Sequence, residues 1–236
     1  MASHPYGETI SQLLSPSTHL LLFSLPTSPQ KPVLPASTIS RLSLHPVLES
    51  ILHILNYDLP SAHFLLRHMQ APPAYEAMFL HGVLHRVEGD LENAAAWYVD
   101  VQDTEVFRVV WGVSGENGGD GDGAEDDGGA QGYPGPRESV ASKSGSKNPS
   151  RTAADHTLLF LDSLVEAKAS VRSGQAAPQY LVQASLGEFS RLWDFCETKF
   201  GTEPVLEASD IWVSMAEKNA SIAEKMITGG EGWREF

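Results

Sequence analysis

The chain has 236 residues, of which 42% are hydrophobic, and a formal net charge of −14. A charge this negative argues against a protein that binds nucleic acid phosphates or anionic membranes. The single cysteine, Cys196, excludes an internal disulfide and a zinc site built from cysteines. The length fits one domain of ordinary size that carries flexible segments.

The N-terminal part, residues 1–40, is rich in proline, serine and threonine. Proline fixes φ and lacks an amide donor, so this composition predicts an extended arm, with one short apolar element at residues 20–25. No stretch of the sequence is long and apolar enough to cross a bilayer, and no positively charged segment precedes the apolar element. We therefore expect a cytoplasmic protein, with the nucleus as the alternative compartment.

Apolar periodicity predicts four helices in the first part of a helical domain, residues 41–112; their approximate bounds are 46–55, 60–69, 73–88 and 91–101. Gly89 suits the left-handed position that ends a helix, and Asp90 suits the N-cap of the next. The third and fourth helices are therefore predicted to form an αα-hairpin. Residues 104–111, with the sequence TEVFRVVW, are the best strand candidate.

The composition changes abruptly after residue 112. Residues 113–153 hold few apolar side chains; the first half is acidic and the second half is rich in serine and lysine. Such a segment buries too little surface to offset its ordering entropy, which predicts a long disordered insert. Residues 154–236 form the second part of the domain and a short tail, with predicted helices at about 155–173, 178–200 and 206–227. The predicted fold is all-α, an irregular bundle of six or seven helices.

The third predicted helix carries a stripe of ionisable side chains. His81 and His85 are four residues apart and Glu88 follows three residues later, so all three project from one side, at the border of the apolar stripe. Two histidines at this spacing with a carboxylate can bind zinc or iron, and the same residues are candidates for acid–base catalysis. A hydrogen-bonded or solvated pair of histidines is the structural alternative.

Two further groups of side chains are candidates for the same site. His63 and His68 point to different sides of the second helix, so one of them can face the third helix and complete a three-histidine set. At the hairpin turn, Arg86, Asp90 and Asn93 predict a polar ligand-binding pocket in which Arg86 grips a carboxylate or phosphate. The structural alternative is that Asp90 caps the fourth helix, Asn93 supports the cap and Arg86 pairs with a carboxylate.

Two resemblances centre on this hairpin. Five residues stand at the spacing of the small, turn and aromatic positions of one tetratricopeptide repeat: Gly82, Gly89, Asp90, Ala94 and Tyr98. The stretch HGVLHRVEGDLENAAAWY also resembles a signature of small helical proteins from fungi and some bacteria, H-G-x-x-H-R-x-E-G-D-x-x-N-A-x-x-W-Y. The first resemblance implies a single repeat-like hairpin. The second implies a fungal, intracellular protein and carries no particular activity.

These patterns lead to two hypotheses. The first is an intracellular helical module whose hairpin, at residues 75–101, binds a protein partner or a small anionic ligand. The alternative is a metal-dependent or acid–base enzyme that uses His81, His85 and Glu88, with zinc or iron as the metal and Arg86 holding an anionic substrate. Neither hypothesis fixes a reaction or an oligomeric state.

Overall fold

The computed structural model describes residues 5–14, 31–112 and 152–213. Within these ranges the fold is all-α, as the sequence predicts, because 71% of the residues are helical and none is in a strand. The helices are α1 (Pro5–Leu13), α2 (Ala36–Ser40), α3 (Pro46–Leu55), α4 (Leu59–Arg67), α5 (Tyr75–Glu88), α6 (Leu91–Val101), α7 (Glu105–Trp111), α8 (Ala153–Arg172) and α9 (Gln179–Phe200). None of these helices has the length and apolarity that crossing a membrane requires.

The helices α3 to α6 lie within two residues of their predicted bounds, and the Gly89–Asp90 turn has the predicted chemistry. The carboxylates of Asp58 and Asp90 accept the backbone amides of Ser61 and Asn93, each at 3.3 Å, and so cap α4 and α6. Gly89 has a φ of 82°, the left-handed conformation that glycine adopts without steric cost. These ends produce two consecutive helical hairpins, α3–α4 and α5–α6.

The central helix of the described structure is α5, which contacts α3, α4, α6, α7 and α9. Its apolar side chains are buried on several sides, and the ring of Phe79 lies 5.4 Å from that of Tyr98 and 5.3 Å from that of Phe107. A helix that is enclosed in this way has no solvent side for its polar residues. The polar residues of α5 must therefore find partners inside the protein.

Arg86 on α5 is fully buried and belongs to a hydrogen-bonded network in the core. Its guanidinium donates to Glu188 at 2.5 Å, to Ser185 at 2.7 Å and to the Tyr98 hydroxyl at 3.2 Å. The Glu188 carboxylate also accepts the Tyr98 hydroxyl at 2.8 Å and the Trp111 indole N–H at 3.0 Å. Burial alone would lower the pKa of Arg86, but the Glu188 carboxylate outweighs it and raises that pKa. The ion pair joins α5 to α9, and the hydrogen bonds of Tyr98 and Trp111 connect α6 and α7 to it.

The prediction of an extended arm is wrong over Pro5–Leu13 and Ala36–Ser40, which are helical. The helix α1 buries Tyr6 and Leu13, and the Tyr6 hydroxyl donates to Glu197 on α9. The Trp193 indole N–H lies 2.8 Å from the same Glu197 carboxylate and 2.9 Å from the Tyr6 oxygen. This contact with a distant helix, which composition cannot reveal, orders α1. The predicted apolar element at residues 20–25 lies outside the described residues.

The strand candidate at residues 104–111 is helical, because Glu105–Trp111 forms α7. The Thr104 side chain caps this helix by accepting the amide of Phe107 at 3.4 Å. Val106, Phe107, Val110 and Trp111 are buried in the core. Capping and tertiary packing therefore outweigh the strand preference of the β-branched and aromatic residues.

Two boundaries in the second half differ from the prediction. The helix α8 begins at Ala153, because Thr152 and Asp155 form a capping box in which each side chain accepts the backbone amide of the other, at 2.9 and 3.2 Å. The last predicted helix, from residue 206, does not form over the described residues, where only Ser209–Ile211 makes a short 3-10 turn. The predicted insert up to residue 151 and the rest of the last helix lie outside the described residues.

His45 links the start of α3 to the end of α9. Its Nδ1 atom accepts the amide of Val47 at 3.3 Å, and its ring stacks on Phe200 with centroids 3.7 Å apart. Only an unprotonated Nδ1 can accept that hydrogen bond. Burial and the nearby positive charge of Lys199 lower the pKa of His45 to about 4.

We expect His45 to reduce the stability of the protein in acid. In the unfolded chain histidine titrates near pH 6.5, so between pH 6.5 and 4 the unfolded state binds a proton that the folded state excludes. Because His45 is partly exposed, the resulting loss of unfolding free energy is reduced to about 1–2 kcal/mol. The variant His45→Asn keeps a capping acceptor and does not titrate. Urea unfolding of both proteins at pH 7 and pH 4 measures the effect; parallel losses in the two proteins would contradict it.

The buried ion pair predicts strongly coupled mutations. We expect Arg86→Met and Glu188→Gln each to lower the unfolding free energy by about 3–5 kcal/mol, because each leaves the other partner buried and uncompensated. The double variant should cost clearly less than the sum of the two, and additive losses in urea unfolding would contradict the assignment. The matched control is Lys199→Gln. Lys199 is 47% exposed and pairs at 2.7 Å with Glu76, whose side chain is 7% exposed, so its loss should cost less than either core variant, about 1–2 kcal/mol.

Candidate metal centre

Three histidines from two helices meet beside the α5–α6 hairpin. His63 comes from α4, His81 and His85 come from α5, and one ring nitrogen of each lies within 4.8 Å of the other two. The ring centroids are 5.3 Å apart for His63 and His81, 5.1 Å for His63 and His85, and 4.9 Å for His81 and His85. We call these three residues the histidine cluster.

The packing of α4 on α5 decides which of the two predicted histidines of α4 joins the cluster. His63 lies on the buried face of α4. His68 follows the end of the helix, where its Nδ1 lies 2.8 Å from the Phe64 carbonyl and its ring is 5.0 Å from that of Trp212. His63 therefore takes the third place in the cluster, and His68 lies outside it.

Glu88, the last residue of α5, contacts two of the three rings. Its carboxylate lies 2.8 Å from Nε2 of His63 and 3.3 Å from Nδ1 of His85. A carboxylate only accepts, so these two nitrogens carry protons, and the lone pairs of the neutral rings are on His63 Nδ1 and His85 Nε2. Burial alone would raise the pKa of Glu88, but the hydrogen bonds and charges of the two histidines outweigh it and lower that pKa to about 2. An ionised Glu88 thus selects the tautomer of both rings.

His81 is the most enclosed member of the cluster, with 4% of its surface exposed. The Trp97 indole stacks on its ring with centroids 4.7 Å apart. Among the described residues, Nδ1 of His81 and Nδ1 of His63 are buried and have no hydrogen-bond partner. Burial, followed by the nearby histidines and Arg67, lowers the pKa of His81 well below its ordinary value. His81 is therefore neutral at pH 7, the state in which an imidazole binds a metal.

The residues at the hairpin turn divide between two roles. The side-chain nitrogen of Asn93 lies 3.2 Å from His85 Nε2, where it can donate to the lone pair of that ring. Asp90 serves as the N-cap of α6, which is its predicted structural role. The predicted role of Arg86 in holding an anion is incompatible with its position, because its guanidinium is fully buried among Glu188 and other core partners. Arg86 follows His85 directly, so the two side chains leave α5 about 100° apart around the helix axis.

Three residues that border or support the cluster are absent from the predicted site. Arg67 follows His63 by four residues, which places both residues on one face of α4. This spacing is visible in the sequence. Trp97 precedes the aromatic Tyr98 of the hairpin and covers His81. Glu188 comes from α9, 102 residues after Arg86, and no local pattern pairs the two.

No protein-family model matches this chain, and no curated protein and no solved structure matches it. The resemblances of the hairpin to a tetratricopeptide repeat and to the fungal and bacterial signature therefore stay predictions. The geometry of the cluster is therefore the basis for inferring a function.

The cluster has dimensions that fit one tetrahedral metal ion. Zinc lies about 2.0–2.1 Å from imidazole nitrogen, which sets the nitrogens of a tetrahedral site roughly 3.4 Å apart and the ring centroids about 5 Å apart. The centroids of the cluster already have this spacing. The ring nitrogens lie within 4.8 Å of one another. Ring rotations that bring them closer by up to about 1.4 Å would complete the ligand set. An ion held there by three imidazoles keeps a fourth position for water or another ligand and can act as a Lewis acid.

Gly82 allows α6 to approach α5 at the cluster. A Cβ atom at this position would lie 2.7 Å from two ring atoms of Tyr98 and 3.0 Å from Cβ of Trp97. The ring of Tyr98 has little freedom to move, because its hydroxyl is hydrogen-bonded to the buried pair of Arg86 and Glu188. The backbone of α6 must therefore shift if residue 82 carries a side chain.

We expect Gly82→Ala to lower the unfolding free energy by about 1–3 kcal/mol and to move Trp97 away from His81, with a change in tryptophan fluorescence. The control is Gly7→Ala on α1. A Cβ there meets nothing within 4 Å, so the better helix propensity of alanine should leave stability equal or up to about 1 kcal/mol higher. Equal stabilities of the two variants in urea unfolding would contradict the close contact at Gly82.

Proposed function

We propose that this chain binds one divalent transition-metal ion, with zinc the best fit, through His63, His81 and His85. Glu88 is the carboxylate that orients two of these ligands. The proposal is carried by the convergence of three imidazoles from two helices around buried ring nitrogens that lack partners among the described residues. In this ligand set His63 is the third histidine, and Glu88, a predicted metal ligand, becomes a positioning residue.

A purely structural role accounts less well for the cluster. A buried polar atom without a partner costs about 1–3 kcal/mol, and apolar side chains at these positions would avoid that cost. A metal ion takes the place of the missing donors by binding the ring lone pairs. Histidines that bind metals commonly donate their second N–H to a carboxylate, which is the relation of Glu88 to His63 and His85.

The ligand types favour zinc over iron. Non-haem iron sites typically use two histidines and one carboxylate as direct ligands, whereas the oxygens of Glu88 face imidazole nitrogens. Three neutral imidazoles are the ligand set of one well-known class of catalytic zinc site. A metal ion bound beside the α5–α6 hairpin combines the two hypotheses from the sequence, the binding module and the metal-dependent enzyme, because the first ligand of the module is then a metal ion.

Metal analysis tests the proposal. We expect the full chain, purified without a polyhistidine tag, loaded with zinc and desalted, to retain about one zinc ion per chain and to gain thermal stability. His81→Ala and His85→Gln should reduce the retained zinc to a small fraction, with circular dichroism confirming that each variant is folded. The matched control is His68→Ala, which removes a histidine of the same region outside the cluster.

Two results would overturn the proposal. One is a wild-type protein that retains neither zinc nor cobalt in stoichiometric amount. The other is a folded His85→Gln variant that retains as much metal as His68→Ala.

A further inference from the structure

Arg67 lies beside the histidine cluster, one helical turn from His63. His63 contacts Glu88 at the end of α5, and Arg67 is close enough to His81 for its charge to help lower the pKa of that ring. Residues four apart on a helix have Cβ atoms about 5–6 Å apart, so Arg67 is next to His63 on the same face. The cluster therefore has both a carboxylate and a guanidinium beside it.

The guanidinium of Arg67 is available for a ligand. Its side chain is half-buried, and within the described ranges no hydrogen bond or ion pair holds it. Other arginines are engaged: Arg86 binds Glu188 at 2.5 Å, and Arg191 donates to the Val110 carbonyl at 2.6 Å. A guanidinium presents its donors as a planar fork that matches the two oxygens of a carboxylate or phosphate.

The charge of the centre also favours an anion. Neutral imidazoles do not reduce the charge of a bound divalent ion, and the nearby carboxylate of Glu88 is engaged with His63 and His85. A metal ion in the cluster and the guanidinium of Arg67 would therefore form a local positive site in a chain whose net charge is −14. Oxyanions are the ligands that such a pair of charges selects.

We infer that the metal centre binds an oxyanion, a carboxylate or a phosphate group, with one oxygen at the fourth position of the metal and the remaining oxygens held by Arg67. This inference rests on the proposed function, because the ion supplies half of the oxyanion site. Arg67, which is half-buried, thus has the anion-binding role that was predicted for the fully buried Arg86.

Cobalt makes the site visible, because tetrahedral Co²⁺ has strong absorption bands that respond to a change of ligand. The full chain, loaded with one equivalent of Co²⁺, is titrated with inorganic phosphate and, separately, with acetate, and the relative response distinguishes a phosphate site from a carboxylate site. We expect a saturable spectral change whose midpoint shifts to at least about tenfold higher anion concentration in Arg67→Gln. Arg67→Lys should give a smaller shift, because lysine keeps the charge and loses the fork. Arg41→Gln, an exposed arginine on another helix end, is the control and should match the wild type.

The outcomes separate this inference from the proposal on which it rests. If the cobalt spectrum forms but neither anion changes it, or if Arg67→Gln responds like the wild type, the oxyanion site is refuted and the metal centre stands. If no cobalt spectrum forms in the folded wild-type protein, both are refuted. A large, selective loss of anion response in Arg67→Gln, with cobalt binding unchanged, supports the inference.

Discussion

The ion pair of Arg86 and Glu188 constrains the arrangement of all the helices around it. Both side chains have no exposed surface, and taking two charges out of water costs several kcal/mol for each ion unless their hydrogen bonds are satisfied. Here Tyr98 and Trp111 supply the additional donors to Glu188. The helices that carry these residues can therefore pack in only one register, because any shift would leave a buried charge without its partners.

This constraint also orients the candidate metal centre. The rotation of α5 about its axis is fixed once Arg86 reaches Glu188, and successive residues of a helix differ by about 100°. His85 is then directed toward α4, and His81, one turn earlier, lies on the same side of α5. Gly82 between them lets α6 approach closely enough for Trp97 to cover His81. A buried polar network on one side of α5 thus positions the ligands on the other.

Structural features that depend on neighbouring residues can be predicted from the sequence. Features that depend on contacts between distant residues cannot. The helices α3 to α6 and the Gly89–Asp90 turn follow from apolar periodicity and capping, which are local. The helix at 105–111 was missed because its β-branched residues favour a strand in isolation, whereas burial of Trp111 beside Glu188 favours the helix. The choice of His63 over His68, and the pairing of Arg86 with Glu188, depend on how helices pack and have no local pattern.

If the histidine cluster holds the proposed metal ion, the core makes a structural purpose for that ion unnecessary, which favours a chemical one. Small domains that use zinc to fold lack a core of their own and unfold without the ion. In this chain the apolar core extends from α1 to α9 and contains an ion pair that needs no metal. The cluster would join α4 to α5, two helices that are already adjacent in sequence and in contact, so the cross-link removes little chain entropy. At such a site, three imidazole ligands with a nearby carboxylate and Arg67 would be better explained by binding a second ligand at the ion than by holding the fold together.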